Sequence, residues 1–252
     1  MDYLGIELKK PKVAFFDFTG CEGCQLQIAN KEETFIDFIS KVEVVNFREI
    51  SSEKRDDYEI AFIEGAISRQ DEIDRLKQIR KNAKMLVALG TCACYGGVNA
   101  IKNKFSIKDV CEEVYGNNSI ETMMVKSAKE IVDVDFEIPG CPISKGEFED
   151  IALSLILGAD FSFKKYPVCV ECKQNFNHCL LDEGKICLGP ITRAGCSAIC
   201  IGGKLPCYGC RGPAAENNWP SLKQTLIEKG FSLEQIGEKI SFFNSLHEVA
   251  RL

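Results

Sequence analysis

Residues 12–24 read KVAFFDFTGCEGC and decide how the rest of the chain is interpreted. Residues 12–18 form a short apolar run that ends at Thr19-Gly20, which is typical of a buried β-strand. Cys21 and Cys24 follow this strand directly. Because two thiols spaced two residues apart can face one metal centre, the sequence predicts metal ligands at the end of a buried strand.

Strand and helix patterns alternate through the N-terminal part of the chain. Apolar runs predict further strands over 42–47, 59–67, 85–89 and 136–138, and helical spacing predicts helices over 24–40, 71–81 and 148–157. Strands that alternate with helices favour an α/β fold with a doubly wound, mostly parallel sheet.

The character of the sequence changes near residue 160. Residues 166–213 are rich in Gly, Pro and Cys and show little periodicity, so metal centres would have to hold them together. Helical spacing returns over 221–229 and 233–251. We therefore expect one α/β domain over 1–160 and a small cysteine-rich domain over 161–252.

The chain has 14 cysteines in 252 residues, and three segments that follow predicted strands carry the first set of four. This first set consists of Cys21, Cys24, Cys92 and Cys141. Ligands of doubly wound sheets bind outside the carboxyl ends of the strands. We therefore expect these four thiols to converge at one edge of the sheet.

Eight further cysteines crowd between Cys169 and Cys210. They divide into a second set (Cys169, Cys172, Cys179, Cys187) and a third set (Cys196, Cys200, Cys207, Cys210). Four thiolates suit a zinc ion or a 4Fe–4S cluster, and three such sets favour an electron relay built from clusters. A zinc ribbon of Cys169, Cys172, Cys207 and Cys210 is the alternative, and it leaves four thiols unexplained. Spacing alone leaves open which four cysteines share each cluster.

Composition excludes several classes of function. The net charge of −6 gives no indication of a basic surface that would bind nucleic acid. No stretch approaches the roughly 20 apolar residues of a membrane span. The N-terminal residues lack the pattern of a secretory signal, so we expect a cytoplasmic protein, in which dense cysteine indicates metal rather than disulfides.

Five short motifs resemble those of the small, electron-transfer subunits of nickel–iron hydrogenases. TGCEGC (19–24), GTC (90–92) followed by Gly96-Gly97, and PGCP (139–142) resemble the signature of that family's proximal cluster. CLLDEGKICLGP (179–190) and PCYGCRG (206–212) resemble its C-terminal signatures. The resemblance implies a flavodoxin-like first domain and a partner large subunit that holds nickel and iron.

The resemblance also assigns the ligands. It implies that the first set holds a proximal cluster, the second set a distal cluster and the third set a medial cluster. Cys169 and Cys200 stand where the periplasmic branch has other residues, which implies three 4Fe–4S clusters here. With no secretory signal, the chain resembles the cytoplasmic multisubunit branch, most closely the NAD(P)-linked sulfhydrogenase delta-type and deazaflavin-reducing gamma-type subunits. A diaphorase-type or ferredoxin-like iron–sulfur or flavin subunit would then accept the electrons.

Two other functions remain open from sequence. The chain could be a related iron–sulfur subunit that serves a non-hydrogenase oxidoreductase, because the nickel ligands would lie on another chain. It could also be a zinc-stabilised interaction module, which four-thiol sites also build.

Four residues near the motifs have two interpretations each. Cys94 could replace Cys92 as a ligand, but for Cys94 and Cys111 a buried, small apolar role is favoured. His178 could be a ligand, although a supporting or surface position is favoured. Glu22 is either a proton-transfer group near a subunit contact or an exposed turn residue.

Overall fold

The computed structural model describes residues 2–3, 6–7, 10–30, 32–116 and 120–246, with the backbone alone at 2–3, 6–7, 32–35 and 37. A two-stranded antiparallel sheet pairs β1 (Asp2–Tyr3) with β2 (Ile6–Glu7). Five parallel strands form the central sheet: β3 (Lys12–Asp17), β4 (Glu43–Asn46), β5 (Ile60–Glu64), β6 (Met85–Leu89) and β7 (Phe136–Ile138).

Helices connect and flank these strands. They are α1 (Gly23–Ala29), α2 (Glu32–Lys41), α3 (Gln70–Asn82), α4 (Gly90–Tyr95), α5 (Ile107–Tyr115), α6 (Lys145–Ile156), α7 (Val168–Gln174), α8 (Ile199–Gly202), α9 (Trp219–Glu228) and α10 (Leu233–Asn244). Two 3₁₀ helices span Gly97–Lys104 and Ala128–Glu130. Among the described helices, none is long and apolar enough to cross a bilayer.

The strand order confirms the predicted fold class. The sheet runs β4-β3-β5-β6-β7, and every neighbouring pair is parallel. This is the flavodoxin-like, doubly wound order, in which the chain reverses direction across the sheet between its first and third strands. Here those strands are β3 and β5. A crevice therefore opens at their carboxyl ends, where Cys21 and Glu64 lie.

Two apolar layers cover the sheet, as the alternation of side chains along each strand requires. Val13 and Phe15 face the layer that includes Phe148 of α6. Ala14 and Phe16 face the opposite layer, which α3 covers. Because both faces are buried, the central strands are apolar throughout, and their positions could be predicted to within a few residues.

The C-terminal part has two small apolar clusters of its own. One contains Cys172, Cys187 and Cys207 among aliphatic side chains. The other joins Leu188 and Ile191 to α9 and α10. Helix α10 packs against the 3₁₀ helix Gly97–Lys104. The end of the predicted helix over 233–251, including His247, lies outside the described residues.

Candidate metal centre

The structure brings the four cysteines of the first set to the carboxyl edge of the sheet. Cys21 follows β3 and Cys24 lies in α1. Cys92 lies in α4, which begins immediately after β6, and Cys141 follows β7. The three segments that carry these residues are far apart in sequence and meet because parallel strands end at the same edge.

Two glycines leave room for the sulfurs of this set. A Cβ added at Gly90, where φ is 83°, would lie 2.4 Å from Cys24 Sγ. A Cβ added at Gly97, where φ is 55°, would lie 2.7 Å from Cys92 Sγ. Both positions have the left-handed φ that favours glycine. The two thiols therefore lie against bare backbone, and a side chain at either glycine would displace them.

A buried carboxylate orients the helix that carries Cys24. Glu64 is 4% exposed and ends β5. It accepts hydrogen bonds from the backbone N–H groups of Cys24 (2.8 Å) and Gln25 (2.9 Å). Burial raises the pKa of Glu64, and these two N–H groups oppose that effect. In the sequence, Glu64 is marked only as a polar residue at the end of an otherwise apolar strand. None of the cysteine motifs includes it.

The thiol of Cys92 has a side-chain donor. Asn99 Nδ2 lies 3.4 Å from Cys92 Sγ and 3.1 Å from the Thr19 carbonyl oxygen. Burial raises the pKa of Cys92 to about 12, and the neighbouring Cys141 and Cys21 add to the rise. Metals bind the thiolate, so a bound metal centre would replace the protons of these thiols.

The second set lies around α7. Cys169 and Cys172 lie in this helix, while Cys179 and Cys187 lie in the irregular segment after it. Burial raises the pKa of Cys169 to about 12, and the other three cysteines of the set are close enough to add to the rise. A Cβ at Gly189 would lie 3.3 Å from Cys169 Sγ and 3.5 Å from Cys187 Sγ. These four thiols therefore form one neighbourhood.

The third set lines a cavity of about 680 Å³. Its four cysteines, Cys196, Cys200, Cys207 and Cys210, contribute to the wall together with Cys141 of the first set. Burial raises the pKa of Cys210 to about 11, and Cys196, Cys141 and Cys200 add to the rise. The third set therefore adjoins the first set in space, although the second set precedes it in sequence.

These residues fit a group larger than one metal ion. Among the described residues, no three His, Cys, Asp or Glu side chains converge closely enough to hold a single ion. Zinc needs its four ligands about 2.3 Å from one point when they are sulfurs. A zinc ribbon of Cys169, Cys172, Cys207 and Cys210 would have to join Cys169 to Cys210, and the cysteines that influence the pKa values of these two thiols differ. Sets of four thiols with backbone and amide N–H donors suit an iron–sulfur cluster.

The remaining cysteines and His178 differ in their burial. Cys94 is fully buried in the core layer on the α3 side of the sheet, and its thiol lies 3.7 Å from the Ala88 carbonyl oxygen. Cys111 is only partly buried, on α5, rather than buried as expected. His178 is exposed.

Glu22 lies between two cysteines of the first set and is half-buried. Its φ of 58° is left-handed, and its carboxylate forms an ion pair with Arg48 at 3.4 Å. A hydrogen bond with Glu49 and burial raise the pKa of Glu22. It is therefore a charged turn residue with a partner.

Comparison with known proteins places this arrangement among hydrogenase subunits. Residues 21–155 match the family described as NADH ubiquinone oxidoreductase, 20 Kd subunit. The sulfhydrogenase 2 subunit delta of Pyrococcus furiosus is 35% identical over 236 residues, which cover 92% of this chain and 98% of that protein. A vhu-type F420-non-reducing hydrogenase subunit of Methanococcus voltae is 28% identical, over 93% of this chain and 94% of that protein.

A solved structure shares the fold. A chain of an NAD⁺-reducing [NiFe]-hydrogenase in the H2-reduced state superposes with a TM-score of 0.56 and 24% identity, covering 62% of this chain and 96% of that chain. The fold and the ordered cysteine motifs thus define the class, a hydrogenase-type oxidoreductase subunit of the kind that works beside a catalytic chain. The chain belongs to the NADH ubiquinone oxidoreductase 20 Kd subunit family, on the branch of the nickel–iron hydrogenase small subunits.

Proposed function

We propose that this chain is the electron-relay subunit of a cytoplasmic nickel–iron hydrogenase. It would pass electrons between the H2 site of a partner large subunit and an acceptor-linked subunit through three 4Fe–4S clusters. The observation that carries the proposal is the contact between successive cysteine sets. Cys141 of the first set adjoins Cys210 of the third, and the N–H of Cys207 donates to Cys187 Sγ of the second at 3.3 Å.

The proposed ligands follow the three sets. The proximal cluster would be held by Cys21, Cys24, Cys92 and Cys141; the medial cluster by Cys196, Cys200, Cys207 and Cys210; the distal cluster by Cys169, Cys172, Cys179 and Cys187. The proximal site would belong to an α/β domain over 1–160, and the other two to a domain over 161–252. The separate apolar clusters of the C-terminal part support this division.

The residues of this chain bind, orient and shield, and they do no acid–base work. Bound clusters would accept and release single electrons. Four of the twelve proposed ligands, Cys24, Cys172, Cys187 and Cys207, are buried and would help to keep water from the clusters. N–H donors such as Asn99 would stabilise negative charge on the sulfurs. Splitting of hydrogen would occur at the nickel and iron of the partner.

The acceptor is proposed from the names of related proteins. The names of the compared proteins include a sulfhydrogenase, an F420-non-reducing hydrogenase and an NAD⁺-reducing hydrogenase. They support an NAD(P)-linked or similar acceptor, reached through a diaphorase-type or ferredoxin-like subunit.

Metal analysis of the anaerobically purified chain tests the proposal. We expect about twelve iron and twelve acid-labile sulfide per chain, which is four of each per cluster, and no nickel. Zinc with little iron would instead establish a zinc-stabilised module. In the complex with its large subunit, H2 should bleach the visible absorption of the clusters. Full iron without any H2-dependent bleaching would point to a relay that serves a different oxidoreductase.

A further inference from the structure

The first and third cysteine sets adjoin each other at Cys141 and Cys210. Both residues line the same cavity of about 680 Å³. Cys141 also lies close enough to Cys210 to influence the pKa of its thiol. The backbone segments that carry these two residues share hydrogen-bond partners.

A buried hydroxyl ties together the two backbone segments on either side of this contact. Thr91 is 1% exposed. Its Oγ1 accepts from the Gly140 N–H at 3.2 Å and donates to the Cys210 carbonyl oxygen. Its own N–H donates to the Gly140 carbonyl oxygen at 2.9 Å. Thr91 therefore fixes the residue before Cys141 relative to the backbone of Cys210.

A buried guanidinium holds the same two segments from the other side. Arg211 is 1% exposed and follows Cys210 directly. Its Nη1 donates to the Pro139 carbonyl oxygen at 3.1 Å, and its Nη2 lies 2.6 Å from both carboxylate oxygens of Glu147. Its Nε also donates to the carbonyl oxygens of Arg193 and Ala194. All three guanidinium nitrogens are used, which a lysine could not reproduce.

The backbone nearby is shaped around this ion pair. A Cβ at Gly195, where φ is 122°, would lie 2.4 Å from both Arg211 Nη2 and Glu147 Oε1. A buried ion pair adds little net stability, because removing two charges from water offsets their attraction. An arrangement with this many fixed partners is better suited to setting position than to adding stability.

We propose that Thr91 and Arg211 are positioning residues that hold the backbone segment of Cys141 against that of Cys210, and that this contact between the two segments is the electron route between the first and third clusters. The inference rests on the proposed relay function and deepens it. In the transfer, one cluster loses the single electron that the other gains, and no bond between heavy atoms forms or breaks. Neither residue is a proposed cluster ligand, so both would act through the geometry of the cysteines.

The sharpest test removes only the hydroxyl. Thr91→Val keeps the shape of the side chain and leaves the Gly140 N–H and the Cys210 carbonyl without their shared partner. Thr91→Ser keeps the hydroxyl and serves as the matched variant. Thr225→Val is the control elsewhere, since Thr225 Oγ1 bonds only the Ser221 carbonyl of its own helix α9. Each full-length chain, reconstituted anaerobically, is measured for iron content, for magnetic interaction between reduced clusters by EPR, and for electron transfer by rapid freezing.

In Thr91→Val we expect full iron, a weaker magnetic interaction between the first and third clusters, and slower transfer between them. Thr91→Ser and Thr225→Val should match the parent chain. Full iron with an unchanged interaction and rate in Thr91→Val would overturn the inference.

Two other outcomes have their own tests. If Thr91→Val loses iron, the inference is tested with Arg211→Lys instead, because lysine keeps the positive charge but lacks the planar guanidinium group. A weakened interaction in Arg211→Lys with full iron supports the inference, and an unchanged one overturns it. A parent chain that holds no iron–sulfur cluster at all would instead refute the proposed function, before any variant is compared.

Discussion

Two of the candidate ligand sulfurs accept hydrogen bonds from nearby N–H groups. Asn99 Nδ2 donates to Cys92 Sγ at 3.4 Å, and the backbone N–H of Cys207 donates to Cys187 Sγ at 3.3 Å. Hydrogen bonds to ligand sulfur are one of the means by which a protein sets the potential of a cluster. They favour the more negative, reduced state, so each donor should raise the potential of its cluster.

Asn99 provides a direct test of this effect. Asn99→Leu removes the donor to Cys92 Sγ and should lower the midpoint potential of the proximal cluster. We expect a fall of roughly 40 mV, which corresponds to about 1 kcal/mol for a one-electron couple. The measurement is a redox titration followed by EPR. Asn217→Leu is the control, because Asn217 donates only to the Ala214 carbonyl. Equal potentials in the two variants would show that the contact has no influence.

Cys21 tests the ligand assignment. Cys21→Ser should remove the cluster of the first set and leave the other two, so iron should fall by about one third. The clusters that remain should keep their EPR signals, while reduction by H2 through the partner should stop. Cys111→Ser is the matched control, since Cys111 lies on α5, outside the three sets. A chain that keeps all its iron after the Cys21 change would remove Cys21 from the site.

The residues of the candidate site could be predicted from sequence only where their chemistry and spacing are distinctive. The twelve clustered cysteines stood out through their spacing and motifs. Thr91 and Arg211 lie inside the quoted motifs and Glu64 ends an apolar strand, but the sequence does not show what these three side chains contact. Their roles come from contacts between distant parts of the chain, such as Thr91 Oγ1 with the backbone of Cys210, 119 positions away.

Among the secondary-structure elements, α1 depends on a partner outside itself. It begins at Gly23 after a left-handed Glu22, and it has no side-chain cap of its own. The carboxylate of Glu64 takes that role by accepting the N–H groups of Cys24 and Gln25. The first turn of the helix, and with it the Cys24 thiol, is therefore held by β5.

Glu64→Gln should weaken this arrangement. The amide can accept one N–H, while its NH2 group faces the other buried donor. One unmet buried donor costs about 2 kcal/mol, so we expect a loss of that order in the free energy of unfolding by urea, together with lower iron retention. Glu43→Gln is the control, because Glu43 forms an exposed ion pair with Arg55, and solvent-screened pairs of this kind contribute little to stability. Equal losses in both variants would contradict the role assigned to Glu64.

The strands were easier to predict than the helices. All five strands of the central sheet were predicted, because burial on both faces leaves a continuous apolar run. The helix predicted over 24–40 is instead α1 and α2, with α1 ending at Ala29. Helix α5 was missed, since none of its described side chains is buried and its pattern carries no core signal. Helix α4 was missed because it consists of a cysteine motif that reads as a loop.

Across the whole molecule, the order of the cysteine sets in space differs from their order in sequence. The first set contacts the third through Cys141 and Cys210, and the third contacts the second through Cys207 and Cys187. The loop 207–210 therefore bridges to both neighbours. Sequence spacing could not give this order, because it depends on how residues 166–213 fold back on the sheet.

This order predicts that the third set is an obligatory intermediate. Cys196→Ser should remove the medial cluster and leave the other two loaded. Electrons delivered to the proximal cluster should then no longer reach the distal one on the time scale of the parent chain. Cys179→Ser, which removes the distal cluster instead, should leave transfer from the proximal to the medial cluster intact.

Each variant, in complex with its large subunit, is reduced by H2 and frozen rapidly, and EPR then shows which clusters have been reduced. The iron content of each variant shows whether the remaining clusters are present. The third set adjoins the first set in the wall of one cavity, and it contacts the second set through the Cys207 N–H and Cys187 Sγ. Loss of its cluster should therefore interrupt the route between the other two. Undiminished reduction of the distal cluster in Cys196→Ser would mean that electrons bypass the third set, and the linear order would have to be abandoned.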